Sequence, residues 1–240
     1  MDGLAGAHIA VTGGSGGIGL AVCAWLEHRG ATTYALDLEP AGGQVGTFVS
    51  CDVTDAESVE AAARKVVETA GRVDGLVAGA GIAEDDVPAE VMDLATFDRV
   101  IGVNLRGVFL TCQTFGRRML ERGAGRIVAI SSMSGNHIVN EPQRQCAYNA
   151  SKAGVSALVR SLAAEWGPRG VRVNAVSPGY VDTPLTARKT ALHEQWRERT
   201  VLRRFARPSE IAAAVGYLLS DDAAFCCGTE LLIDGGYALR

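Results

Sequence analysis

No apolar run in the chain approaches the roughly 20 consecutive residues that a membrane-spanning helix needs. Nor does the opening stretch, "MDGLAGAHIAVTGG", place basic residues ahead of an apolar one, so no secretory signal is expected. Charge of one sign is not in excess: 23 Lys and Arg against 27 Asp and Glu leave a formal charge of −4. That balance argues against nucleic acid or an anionic membrane as partner. The six cysteines, at 23, 51, 112, 146, 226 and 227, contain no Cys-x-x-Cys pair, which predicts reduced thiols in a cytoplasm rather than a disulfide framework. Cys146 has no adjacent histidine to activate it as a nucleophile. His8, His28, His137 and His193 share no metal-ligand spacing, so no catalytic metal is expected. Linkers, repeats and low-complexity tracts are also missing, which leaves one domain over residues 1–240.

Short β-branched runs alternate with longer helical ones. Strands are expected at 8–11, 32–36, 47–53, 74–79, 126–132, 171–177 and 230–234. Between them lie a helix closed by Gly30, one opened by a Thr54/Glu57 capping box, a long one over 94–122 ending at Gly123, one over 146–166, and one capped by Ser209. Strands that alternate with helices imply a parallel sheet covered on both faces, an α/β doubly wound fold. With 240 residues and 48% hydrophobic content, the chain can build that core unaided.

The first strand runs into "VTGGSGGIG" (11–19), and a helix follows. Glycines here permit a tight turn and close backbone approach, and the helix aims free N–H groups and its positive end at a phosphate. The loop satisfies G-x-G-x-x-G through Gly14, Gly16 and Gly19, and T-G-x-x-x-G-x-G through Gly13, Gly17 and Gly19. Both registers point to a dinucleotide. Asp37 closes the second strand, where a carboxylate accepts hydrogen bonds from the adenosine ribose and repels a 2′-phosphate. No basic residue follows it in the loop, so NAD is expected over NADP. Asp52, after the third strand, is placed to meet the adenine.

In "AYNASK" (147–152), Tyr148 and Lys152 stand one helical turn apart on the same face. A free phenol titrates near ~10. An ammonium beside it, together with a cationic cofactor ring, is expected to bring it toward working pH as a proton acceptor.

Taken with "TGGSGGIG", "VNLRGVF", "ISSMSG", "YNASK", "SPGYVDT" and "DGGY", the chain resembles the short-chain dehydrogenase/reductase family over essentially its whole length. The resemblance implies a seven-stranded Rossmann-type sheet in the order 3-2-1-4-5-6-7. It also implies a catalytic group of Asn104, Ser132, Tyr148 and Lys152, in which Ser132 holds the substrate oxygen, Lys152 the nicotinamide ribose, and Asn104, interrupting its long helix, a proton-relaying water. Ser131 and Ser134 compete for the serine role. The NAD site so implied takes in Gly13, Ser15, Gly17, Ile18 and Gly19 of the glycine loop, then Asp37 and Leu38, then Asp52 and Val53. It continues through Ala78, Gly79 and Ala80, then Asn104, Tyr148 and Lys152. It ends at Pro178, Gly179, Val181 and Thr183, the last two holding the nicotinamide carboxamide.

One departure stands out: Ala78-Gly79-Ala80-Gly81 replaces the usual Asn-Asn-Ala-Gly. Side-chain bonds bracing the sheet are therefore expected to be missing there.

The loop between Ser132 and Tyr148 is longer than usual and resembles the branch that oxidises sugar alcohols. Ser134, Asn140, Glu141, Gln143 and Tyr180 are the substrate candidates. Residues 184–206 are expected to form a mobile lid whose arginines, Arg188, Arg197, Arg199, Arg203 and Arg204, are either solvated or turned to an anionic substrate.

The sequence reading is thus an NAD-dependent oxidoreductase of a polyol, sugar alcohol or vicinal diol. By resemblance it is a homotetramer, or a homodimer. A carbonyl reductase of oxoacyl or cyclic ketones is the alternative, which a preference for NADPH would mark. A non-catalytic NAD(H)-binding sensor is more remote, since it has no use for the Ser, Tyr and Lys together.

Overall fold

The computed structural model describes residues 1–240 as a seven-stranded sheet in the order β3-β2-β1-β4-β5-β6-β7. The strands are β1 (His8–Thr12), β2 (Thr32–Asp37), β3 (Thr47–Ser50), β4 (Gly75–Ala78), β5 (Gly125–Ile130), β6 (Val171–Pro178) and β7 (Glu230–Ile233). Every neighbouring pair is parallel. The central strands are sealed on both faces: every residue of β4, "GLVA", is buried. That is why they read as continuous apolar runs rather than as alternating ones.

Two apolar cores flank the sheet. On one face α2 (Ala56–Ala70), α4 (Val108–Arg122) and α6 (Cys146–Trp166) pack Val66, Phe115 and Val159 against Leu76 and Ile127. On the other, α1 (Gly17–Glu27) and α9 (Pro208–Leu219) bring Leu26 and Val215 against Ile9 and Val128. The chain reverses its winding between β1 and β4. A crevice therefore opens at the carboxyl ends of these strands, the usual place for a ligand in a doubly wound sheet.

Local chemistry moved several expected boundaries. Asp55, not Thr54, caps α2 by accepting from the Glu57 N–H at 3.1 Å. Thr54 is drawn back to Asp52, whose Oδ1 accepts from its N–H (2.8 Å) and its hydroxyl (2.7 Å). This turn ends β3 at Ser50, three residues short of the expected Val53. The last long helix starts at Pro208, so Arg207 rather than Ser209 is its cap residue, and the Glu210 carboxylate accepts from the Arg207 N–H at 2.8 Å. The stretch expected as one helix over 94–122 is α3 (Leu94–Ile101), a wider turn of π type over Gly102–Gly107, and α4. Such widened turns concentrate at functional sites, and Asn104 sits inside this one.

Candidate functional site

The glycine loop shows why glycine is required at two of its positions. Gly13 has φ +69°, a left-handed conformation that side chains avoid. A Cβ on Gly19 would collide with the Gly13 carbonyl oxygen, so only glycine lets α1 start this close to the turn. No side chain caps the first turn of α1. Its N–H groups are therefore free to meet phosphate oxygens, as the sequence pattern requires. Asp37 ends β2 and reaches back over the loop, its Oδ2 accepting from the Ser15 N–H at 3.1 Å and its Oδ1 from the Leu38 N–H at 2.8 Å. The residues present thus fit a dinucleotide, with a carboxylate at the adenosine end.

Past β4, the side chains expected to be lost by the Ala78-Gly79 departure are partly replaced. The Thr12 hydroxyl accepts from the N–H groups of Gly79 (3.1 Å) and Ala80 (3.4 Å). Asn104 clamps the next residue but one: its Oδ1 accepts from the Ile82 N–H at 2.8 Å and its Nδ2 donates to the Ile82 carbonyl at 2.8 Å. Its Nδ2 also donates to the Ser151 hydroxyl at 3.0 Å. Two side chains from other elements therefore brace the strand end.

A cavity opens at the carboxyl ends of β4, β5 and β6. Ser132, Tyr148 and Lys152 line it with Ser134, Asn140 and Gln143. On its far wall stand Pro178, Gly179, Tyr180, Val181 and Thr183, with Ile18 and Gly79 at its floor. Of the substrate candidates, four line this cavity. Glu141 does not: it is exposed and lies along a separate outer groove.

The three serines separate by their bonds. Ser131 is occupied in fastening α6, its hydroxyl donating to the Lys152 carbonyl and meeting the Ser156 hydroxyl, both at 2.9 Å. The Ser134 hydroxyl, on the short helix α5 (Met133–Asn136), donates to Asn140 Oδ1 at 2.7 Å. Ser132 is the one beside the Tyr148 phenol.

Electrostatics at Tyr148 differ from the sequence expectation. Burial pushes the phenol's pKa up, the Ser132 hydroxyl beside it pulls down, and the Glu84 carboxylate pushes up again, for a net rise. Lys152 does not lower it in the free protein. Its ammonium donates to the Ile130 carbonyl at 2.8 Å and stands 5.7 Å from the Tyr148 ring centre. Burial pulls Lys152 itself down to about 8. These groups together favour the protonated phenol, and an added positive charge nearby would favour the phenolate.

Glu84 escaped sequence reasoning. It is 2% exposed, and its two carboxylate oxygens accept from the Tyr148 backbone N–H at 3.1 and 3.2 Å. A buried carboxylate thus satisfies an orphan N–H in the first turn of α6 and fixes where Tyr148 begins. The two residues are 64 positions apart, so no local pattern announces the contact.

Residues 184–206, expected as a lid, form α7 (Pro184–Ala187), α8 (His193–Arg199) and connecting turns. The segment is seated by Trp196, which is 1% exposed. The indole stacks on Tyr180 at 4.1 Å between ring centres and donates to Gln143 Oε1 at 3.1 Å. The lid arginines turn elsewhere: Arg197 and Arg199 lie over Phe205 and Tyr237, and Arg203 and Arg204 bond to the Glu198 carbonyl and Glu210. Arg188 is exposed. The lid cation that reaches the cavity is Lys189. His137 faces Glu230 at 3.5 Å, outside the cavity.

A doubly wound parallel sheet, a glycine turn ahead of an uncapped helix and a Ser–Tyr–Lys cavity define a dinucleotide-dependent oxidoreductase acting on CH–OH groups. A family model described as enoyl-(acyl carrier protein) reductase matches residues 8–238, and the chain belongs to the short-chain dehydrogenase/reductase family. It is 44% identical to a galactitol 2-dehydrogenase (L-tagatose-forming) of Cereibacter sphaeroides, covering 98% of this chain and 96% of that protein. Identity to a D-threitol dehydrogenase of Mycolicibacterium smegmatis is 41%, over 96% and 92%. The crystal structure of gox2181 superposes with a TM-score of 0.94 at 43% identity, over 100% and 97%. An NADPH-dependent 3-quinuclidinone reductase from Rhodotorula rubra is also similar, with a TM-score of 0.92 at 34% identity over 99% and 93%. The fold therefore does not choose between the two nicotinamide cofactors.

Proposed function

We propose that the protein is a polyol dehydrogenase that oxidises a secondary alcohol of a sugar alcohol or vicinal diol with NAD. The observation that carries this reading is one cavity in which Ser132, Tyr148 and Lys152 meet the Pro178–Thr183 wall. The similarity to galactitol and threitol dehydrogenases supports the substrate class.

Ser132 Oγ donates to the substrate oxygen and holds it against Tyr148. The Tyr148 hydroxyl, once deprotonated, takes the alcohol proton at Oη. Bound NAD supplies the hydride acceptor and a positive charge close to the phenol. Lys152, already withdrawn from solvent, holds the ribose beside it. Asn104 keeps the strand end and the start of the proton path in register. Asp37 and the absence of a basic residue after it favour NAD, with Gly13, Ser15, Gly17, Ile18 and Gly19 around the pyrophosphate. Leu38, Asp52, Val53 and Ala78 through Ala80 would hold the adenosine, and Pro178, Gly179, Val181 and Thr183 the nicotinamide. Exposed Leu94, Phe97 and Phe109 on α3 and α4 are consistent with a homotetramer or homodimer. A cytoplasmic location fits six free cysteines and the lack of any helix long and apolar enough to cross a membrane. Residues 184–206 act as the lid of a single domain.

The test is NADH formation from a panel of alditols, vicinal diols and cyclic alcohols, with NAD and NADP compared by kcat/KM. Tyr148→Phe is expected to lower kcat by about a hundredfold to ten-thousandfold while still binding NAD. A clear NADP preference, or intact turnover in that variant, refutes the assignment.

A further inference from the structure

Almost every polar side chain in the cavity is already engaged with a neighbour. Asn140 takes the Ser134 hydroxyl and donates to Asn149 at 3.2 Å. Gln143 accepts from Trp196 and exchanges bonds with the Tyr180 hydroxyl at 3.2 and 3.3 Å. The amides that the sequence offers to a polyol therefore hold the wall together, and little of their capacity is left for a ligand.

Lys189 is the exception. It lines the same cavity from the lid, and its Nζ is buried without a hydrogen-bond partner. An ammonium is three donors and no acceptor, and leaving it unmatched in a buried place is costly.

Its charged surroundings decide what it fits. Glu84, Asp85 and Asp86 are the acids near it, and burial lowers its pKa while these three raise it. None is bonded to it. Glu84 is spent on the Tyr148 N–H, and Asp86 holds Arg144 through three bonds of 2.8, 3.0 and 3.2 Å. Asp85 is exposed. Three carboxylates against Lys189 and Arg144 leave this corner negative, so an anionic substrate group is repelled there. A neutral oxygen is not.

Resting on the polyol reading above, we infer that Lys189 is the residue that recognises a substrate hydroxyl remote from the carbon being oxidised. The cavity then discriminates a polyhydroxy chain from a simple secondary alcohol through one lid ammonium, since a site with a buried donor rejects an analogue that cannot match it.

The experiment uses Lys189→Met, which keeps the stem and removes the donor. Steady-state constants are measured at saturating NAD for an alditol, for a short vicinal diol lacking the distal hydroxyls, and for the matching aldonate. The alditol-to-diol ratio of kcat/KM is expected to fall by about 10- to 100-fold in the variant, carried mainly by KM, with Lys189→Arg restoring part of it. NAD affinity, read by quenching of protein fluorescence, is expected to match the parent and reports that the variant is folded. Equal loss on alditol and diol, or an unchanged ratio, overturns the inference while leaving the polyol reading in place. A parent enzyme that prefers the aldonate overturns it in favour of a carboxylate ligand. A parent that oxidises neither the alditol nor the diol refutes the polyol reading, and the role of Lys189 falls with it.

Discussion

At the scale of single residues, the unexpected partner is Glu84. Tyr148 and Lys152 are spaced as the sequence promised, yet the net push on the phenol is upward, and Glu84 contributes to it. A carboxylate that raises the pKa of a proton acceptor also delays its activation as pH rises. Replacing Glu84 by Gln keeps an oxygen for the Tyr148 N–H and removes the charge. The acid limb of kcat/KM for alcohol oxidation is then expected to move to lower pH, since less alkali is needed to form the phenolate. Glu84→Ala, which also removes the acceptor, is expected to lower kcat in addition. A pH–rate series on both variants separates charge from position. Tyr148 and Lys152 were legible because helical spacing and a set of motifs converge on them. Glu84, Thr12 and Lys189 were not, because their roles depend on contacts across the fold that carry no local signature.

At the scale of elements, the widened turn over Gly102–Gly107 connects sequence to site. The motif "VNLRGVF" marked Asn104 and a break in its helix, but not that its side chain closes both hydrogen-bonding groups of Ile82. Asn104→Ala leaves that N–H and carbonyl without their partner in a half-buried place, at up to about 1–3 kcal/mol for each group left unmatched. A lower Tm by calorimetry, together with a lower kcat, is the expected result. Helix and strand positions followed from hydrophobic periodicity. The boundaries that moved did so through local contacts: Asp52 drew Thr54 out of its capping role, and Pro208 opened the last long helix before Ser209, with Glu210 bonding back to the Arg207 N–H.

At the scale of the whole molecule, both covered faces were readable in the alternation of runs, whereas the strand order came from the family resemblance and is the one the structure has. How the lid is seated was not readable. Trp196 reaches from the lid to Gln143 in the 140–145 loop, so two segments far apart in sequence share one wall. Truncating a buried tryptophan to alanine costs about 3–5 kcal/mol in a packed core. Trp196→Ala is expected to raise KM for the alcohol and to expose residues 184–206 to limited proteolysis, with the sheet intact by circular dichroism.

The lid also touches the glycine loop: a Cβ placed on Gly17 would stand 2.9 Å from the Thr183 methyl carbon, immediately before α7. The loop that begins the first helix and the segment proposed as the lid thus share one boundary. A dinucleotide bound against the glycine loop would also bear on the segment from Thr183 onward, which lines the cavity. The expected consequence is an ordered sequence of arrival and departure, coenzyme first in and last out. In product-inhibition kinetics, the reduced coenzyme is expected to compete with the oxidised coenzyme alone, and the ketone with neither substrate.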